Sequence, residues 1–270
     1  PLLKPLFVDS RVQISEVDDV NVDSETLRTG GTLMLLESAD GYYQDSPLSA
    51  SEAKLSLALL AKLHAAAWQD SKVLAAAETS LQATAGYWTW GKAVSLELQQ
   101  LELQQVKAHW RQFMESFTSL APELLTSPGV PELADRIARL AASVAEELAP
   151  SAEAPHATLV HGDYKAMNIF LRSPAGATCI SAGNVTPAEA LPIDFQWTGI
   201  GIGMTDVAMH LSHSVSVEAM LGEGEQQLLD SYLGVLVKEL QLRHGAAVAY
   251  PKDVAMRHYA LAVVDYARGA

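Results

Sequence analysis

Leu159-Val160-His161-Gly162-Asp163-Tyr164-Lys165-Ala166-Met167-Asn168-Ile169-Phe170-Leu171 sets a polar loop between two apolar runs that read as β-strands. Polar groups held between buried strands are costly unless they satisfy one another or do chemistry. Asp163 and Asn168 stand five positions apart across the loop, so both side chains can face one space. A second apolar run, Leu191-Pro192-Ile193, closes on Asp194 and adds another hard oxygen donor. Adjacent strands lie about 4.8 Å apart, which puts all three side chains within reach of one metal–phosphate cluster. An aspartate so placed can accept a proton from an attacking hydroxyl, and an asparagine oxygen can ligate Mg²⁺ without adding charge. Lys165, two positions past Asp163, can offset charge on a phosphoryl group in transit. A competing reading has Asp163 and Asn168 merely tying a tight turn. That explains either residue alone better than it explains the whole set in this order.

Composition narrows the field. The chain has 270 residues, 49% of them hydrophobic, enough for one large core or two lobes sharing a cleft. A formal net charge of −14 speaks against nucleic acid as a partner, because that surface must be basic. The charge suits a cationic acceptor, or simply solubility. The single cysteine, Cys179, excludes an internal disulfide framework and fits a reducing, cytoplasmic setting. No apolar run approaches the roughly 20 residues of a membrane span, and nothing at Pro1 resembles a cleavable signal. Oligomeric state is not legible. Because the first residue is Pro1 rather than Met, a chain that has lost its beginning is expected.

Outward from the central stretch, Leu6-Phe7-Val8 is a short alternating segment, and residues 16–25 form an acidic loop. Gly30-Gly31 opens Thr32-Leu33-Met34-Leu35-Leu36-Glu37, a compact run that reads as a buried strand. Ser49-Ala50-Ser51-Glu52 has the form of a capping box, starting a helix that runs to Trp68. Residues 97–117 form a long helix with Leu98, Leu101, Val106 and Trp110 as its apolar stripe, and 132–148 form the next. A loop from Ser173 to Pro187 separates the two motif-bearing regions. Helices over 206–217, 225–243 and 253–267 finish the chain. The pattern is α+β with the helical part dominant.

His161-Gly162-Asp163-Tyr164-Lys165-Ala166-Met167-Asn168 resembles the HGDxxxxN catalytic loop of the aminoglycoside phosphotransferase and choline kinase superfamily. Ile193-Asp194-Phe195-Gln196 is similar to the metal-binding strand end of the same superfamily, and its IDFQ form to the ecdysteroid-kinase-like branch. Leu60-Ala61-Lys62-Leu63-His64-Ala65 resembles the helix after the hinge, and Thr205-Asp206-Val207-Ala208 the helix start after the metal motif. The likeness covers approximately residues 30–215, specific at the two motifs and weaker elsewhere. It implies a protein-kinase-like fold, with a partial β small lobe and a mostly helical large lobe carrying the catalytic β insertion. It also implies an ATP- and Mg²⁺-dependent phosphotransferase acting on a hydroxyl of a small molecule. Asp163 would then be the catalytic base, with Lys165 beside it and Asn168 and Asp194 as magnesium ligands. Leu33 to Ala39 would be the last small-lobe strand and hinge, with the backbone of Glu37, Ser38 and Ala39 holding adenine. The phosphate-covering loop, strand lysine and helix glutamate of that superfamily have no recognisable counterpart before the hinge, and Lys4, followed by Pro5, is not assigned such a role. Residues 1–40 are therefore expected as a remnant of the nucleotide lobe plus hinge, and 41–270 as the large lobe. The alternative is a catalytically inactive kinase-like binding module.

Other residues carry blander expectations. His161 is expected to order the loop by hydrogen bonding, and His64 to be a satisfied packing residue. His210 and His213, with Asp206, are weak candidates for a zinc site of a metallohydrolase, lacking a third ligand at a known spacing. Gly199-Ile200-Gly201-Ile202-Gly203 lacks dinucleotide-loop spacing and is expected as a flexible linker. Asp206 is expected to cap a helix or to buttress the catalytic loop. Trp88, Trp90 and Trp110 are expected in the core, with a cation-binding cage as the rival.

Overall fold

The computed structural model describes residues 5–13, 30–36, 38–82, 84–90, 94–173, 187–245 and 248–269. In chain order its elements are strands β1 (Pro5–Gln13) and β2 (Gly30–Leu36), then helices α1 (Ala50–Ala67), α2 (Ser71–Ser80), α3 (Leu96–Phe117), α4 (Pro122–Leu125) and α5 (Leu133–Leu148). Strands β3 (Ala157–Val160), β4 (Ile169–Arg172), β5 (Glu189–Pro192) and β6 (Gly199–Ile202) follow, with a 3₁₀ turn (Ala166–Asn168) before β4. Helices α6 (Met204–Ser214), α7 (Val217–Met220), α8 (Gly224–His244) and α9 (Lys252–Gly269) complete the chain. The α+β expectation holds, with helix dominant. The acidic loop over 16–25 and most of the loop after Ser173 lie outside the described residues.

The core forms because the helical stripes meet. The capping box at Ser49 starts α1: its hydroxyl accepts the Glu52 N–H while Glu52 reaches back to the Ser49 N–H. From there Leu57, Leu60, Ala61 and Ala65 are fully buried, in one cluster with Leu228, Tyr232, Leu236 and Leu240 of α8. Helix α9 packs on both α6 and α5. Among the described residues no helix is long and apolar enough to cross a membrane.

The strands pair as three separate antiparallel ribbons: β1 with β2, β3 with β6, and β4 with β5. Asp163 lies on the segment leaving β3, and Asp194 lies two residues past the end of β5. The register Ile169↔Pro192 therefore carries the two motif ends side by side.

Two expectations are corrected here. The glycine run after Asp194 is a buried strand, β6, rather than a flexible linker. A Cβ on Gly199 would meet the Gln82 carbonyl oxygen at 2.3 Å, and one on Gly201 a Val160 methyl at 2.8 Å. The glycines permit close approach instead of flexibility. Of the three tryptophans expected in the core, Trp88 and Trp90 are buried, but Trp110 on the apolar stripe of α3 is not: Leu98 and Leu101 of that stripe are 59% and 51% exposed, and no residue of α3 is fully buried.

Candidate active site

The loop after β3 is fixed by one carboxylate. Asp206, in the first turn of α6, accepts the His161 N–H at 2.6 Å through Oδ2 and the Gly162 N–H at 2.9 Å through Oδ1. Its Oδ2 also lies 3.2 Å from His64 Nε2, and the other nitrogen of that ring meets the Tyr232 hydroxyl at 2.8 Å. All of these side chains are buried. Burial alone would raise the Asp206 pKa, but hydrogen bonding and charge from His64, then His161 and the Gly162 N–H, bring it below the ordinary carboxylate value. The buttressing role expected of Asp206 is what it performs. The helix cap falls instead to Gly203, because α6 begins at Met204.

Gly162 turns the chain with φ +81°, and a Cβ there would meet the Trp197 carbonyl oxygen at 2.2 Å. His161 Nδ1 accepts the Asp163 N–H at 3.3 Å, which leaves Nε2 to donate to the Ile193 carbonyl at 2.9 Å. Both ring nitrogens are committed, so His161 orders the loop as its position beside Gly162 suggests. Tyr164 is fully buried and donates to the Ser56 carbonyl at 2.8 Å, while Ser214 Oγ accepts the Ala166 N–H at 2.8 Å. These last two contacts bolt the loop to α1 and α6, and nothing local in the sequence announces either of them.

Asp163 sits at the centre, its side chain 4% exposed. Oδ2 receives Lys165 Nζ at 2.9 Å and Asn168 Nδ2 at 3.0 Å. Oδ1 is buried and has no hydrogen-bond partner among the described residues. A buried orphan oxygen on an aspartate costs stability and asks for a reason. Asn168 Nδ2 also donates to the Asp163 carbonyl at 2.9 Å. Its amide nitrogen is thus committed to the loop, and the amide oxygen remains for a cation.

Asp194 is exposed and has φ +62°, a left-handed conformation that aspartate tolerates better than most residues. The Ile193 N–H donates to the Asn168 carbonyl at 2.9 Å, so the backbone that carries Asp194 is tied to Asn168 on one side and to His161 on the other. Of the residues expected to form a hinge, Glu37 lies outside the described residues, Ser38 is exposed with its hydroxyl donating to Asp40 at 2.6 Å, and the Ala39 carbonyl accepts the Tyr42 N–H at 3.0 Å. The chain leaving that turn pairs Tyr43 with Leu171 of β4 and sends Gln44 Nε2 to the Met167 carbonyl at 2.5 Å. The segment after Ala39 is therefore tied to the loop that carries Asp163 through Tyr43 and Gln44, contacts that sequence reasoning passed over.

The zinc alternative is overturned. His210 lies with Nε2 2.7 Å from Ser56 Oγ and Nδ1 3.2 Å from the Tyr164 carbonyl, His213 meets the Tyr266 hydroxyl at 3.1 Å, and Asp206 serves the loop. Among the described residues no cluster of three or more His, Cys, Asp or Glu side chains could hold a metal. Mg²⁺ takes one or two protein oxygens together with substrate phosphates rather than an all-protein cage. The Asn168 oxygen and the Asp194 carboxylate are donors of that hard type.

A family model described as the ecdysteroid kinase-like family matches residues 35–244, a span that holds the whole loop and Asp194. Two solved structures of the aminoglycoside phosphotransferase APH(3'')-Id from Streptomyces rimosus are also similar. The one in complex with ADP and streptomycin is 14% identical, with 89% of this chain and 72% of that chain covered and a TM-score of 0.37. The other is 15% identical, covering 89% and 70%, also with a TM-score of 0.37. None of the curated proteins matches the chain.

Proposed function

The chain belongs to the ecdysteroid kinase-like family, and from that premise we propose that it transfers the γ-phosphoryl group of ATP to a hydroxyl of a small molecule. The observation that carries this reading is the unequal partnering of the two Asp163 oxygens. Oδ2 is fixed by Lys165 and Asn168, while Oδ1 is buried and has no hydrogen-bond partner among the described residues, which leaves its lone pairs for a proton. The acceptor hydroxyl gives its proton to Oδ1 as its oxygen bonds to the γ-phosphorus, and the bond from that phosphorus to the β–γ bridging oxygen breaks, releasing ADP. In this reading Lys165, whose Nζ lies 2.9 Å from Asp163 Oδ2, offsets charge on the moving group.

Asn168 and Asp194 hold Mg²⁺ in this proposal, and Mg²⁺ supplies charge neutralisation on the phosphates when bound. Residues 1–40 act as the nucleotide-lobe portion and hinge, with the backbone of Glu37, Ser38 and Ala39 meeting adenine, and 41–270 act as the large lobe. A thermal-shift titration with ATP tests the reading. A shift that needs Mg²⁺ and is lost in Asp194→Asn supports it; no shift with Mg²⁺·ATP contradicts it.

A further inference from the structure

Helix α6 meets the loop that carries Asp163 through a polar stripe. Asp206, His210 and Ser214 recur every four residues, so they share one face of the helix. All three are fully buried. Each meets the loop backbone one step further along. Asp206 accepts the His161 and Gly162 N–H groups, His210 Nδ1 lies 3.2 Å from the Tyr164 carbonyl, and Ser214 Oγ accepts the Ala166 N–H at 2.8 Å. A polar stripe buried where a packed helix face is normally apolar is costly unless every member is satisfied.

His210 closes a ring with Ser56 of α1 and Tyr164. Its Nε2 lies 2.7 Å from the Ser56 hydroxyl, the Tyr164 hydroxyl donates to the Ser56 carbonyl at 2.8 Å, and the Tyr164 carbonyl returns to His210 Nδ1. Tyr164 is thereby held at both ends, side chain and backbone, by the same two residues. Burial lowers the His210 pKa to about 4 and keeps the imidazole neutral, so one ring nitrogen carries hydrogen. That hydrogen belongs on Nδ1, because a bare nitrogen facing a buried carbonyl oxygen at 3.2 Å would oppose lone pair to lone pair. Nε2 then accepts from Ser56 Oγ, in preference to the Ala53 carbonyl 2.9 Å away, an oxygen that already serves α1.

The consequence falls on Asp163 and Lys165. The Asp163 N–H rests on His161 Nδ1 at 3.3 Å, and its carbonyl accepts the Lys165 N–H and Asn168 Nδ2, both at 2.9 Å. The Tyr164 carbonyl belongs to the next peptide but one, which leads into Lys165, whose Nζ meets Asp163 Oδ2 at 2.9 Å. Freeing that carbonyl lets the Tyr164–Lys165 peptide turn. Displacement of a reacting group by about 1 Å is enough to cost about 100-fold in rate.

We propose that His210 and Ser214 are positioning residues for Asp163, acting with Asp206 as one stripe on α6 that sets the backbone from which the base projects. The word base rests on the phosphotransferase reading; the positioning of Asp163 does not.

The test separates the donor of His210 from its bulk. His210→Phe keeps a ring and removes the donor to Tyr164, whereas His210→Asn keeps a donor near the Nδ1 position and loses volume. Ser214→Ala removes the acceptor of the Ala166 N–H. ADP formation from Mg²⁺·ATP is followed with choline, cyclohexanol or water as the acceptor. Amide hydrogen exchange of residues 162–168 is followed by mass spectrometry, with α8 peptides as the folded reference. His210→Phe and Ser214→Ala are each expected to lower kcat about tenfold or more and to leave KM for Mg²⁺·ATP within about threefold. Both are expected to speed exchange in the loop while α8 exchanges as in the parent. His210→Asn is expected to retain kcat within about threefold of the parent, which a residue that only fills space would not. Should His210→Phe not fold, Ser214→Ala carries the same readouts. Parent-like kcat and loop exchange in His210→Phe or Ser214→Ala, or a loss in His210→Asn as large as that in His210→Phe, overturns the proposal. Faster loop exchange in both variants with no ADP formation by the parent leaves the positioning standing and overturns the phosphotransferase reading instead.

Discussion

Asp206 accepts the backbone N–H of Gly162 at 2.9 Å from within a fully buried setting, so a helix side chain fixes the conformation of the loop that carries Asp163. The same carboxylate holds the His161 N–H and faces His64. Removing its charge leaves two N–H groups and a histidine to share one amide oxygen in place of a carboxylate. Asp206→Asn turns an amide N–H toward at least one of those donors. A loss of about 3–5 kcal/mol in unfolding free energy is expected, the usual cost of breaking a buried charged pair. Urea denaturation measures it, and a variant within about 0.5 kcal/mol of the parent would contradict this account of the loop.

Gly162 tests the same loop from the backbone side. With φ +81° and a carbonyl oxygen 2.2 Å from where a Cβ would stand, alanine cannot be accommodated without displacing Trp197. Gly162→Ala is expected to cost more than about 1 kcal/mol and to reduce turnover about 100-fold, because misplacement of a reacting group by about 1 Å has that effect. Parent-like turnover would show that the loop does not position the base.

His210 supplies a pH dependence of stability. Burial lowers its pKa to about 4, against the opposing effects of the Tyr164 carbonyl and Asp206. In the unfolded chain histidine titrates near 6.5. Between those two values the unfolded state binds the extra proton, so stability falls as pH drops from about 6.5 to about 4, by at most about 3 kcal/mol from this group. Burial also lowers His156 and His258, which act in the same direction. Melting temperature against pH should fall steadily over that window, with a shallower slope in His210→Gln. An unchanged slope would contradict the assignment.

The polar loop around Asp163 is legible in the sequence because its information is local. Polar residues at fixed offsets between two apolar runs report their own loop, and Ser49 with Glu52 reports its own helix start in the same way. What escaped was set by distant partners. Gly199 and Gly201 look like a linker because glycine weakens strands. Their reason is Gln82 and Val160, which leave no room for a Cβ. The stripe on α3 has helical spacing, yet spacing cannot say what a face meets: Trp110 and Phe113 turn toward a cavity that also needs Tyr87 and Arg268 from remote parts of the chain. Tyr164 and Ser214 hold the loop through contacts 108 and 48 positions away, which no local pattern encodes.

The central claim is that Asp163 takes the acceptor proton through Oδ1, which has no hydrogen-bond partner among the described residues. ADP formation from Mg²⁺·ATP over a panel of alcohols, measured for the parent chain and for Asp163→Asn, tests it most directly. The account predicts Mg²⁺-dependent ADP formation by the parent and a loss of about 10²- to 10⁴-fold in the variant, with saturable Mg²⁺·ATP binding retained by both. Asp163→Asn turning over at the parent rate, or a parent equally active without Mg²⁺, would contradict it.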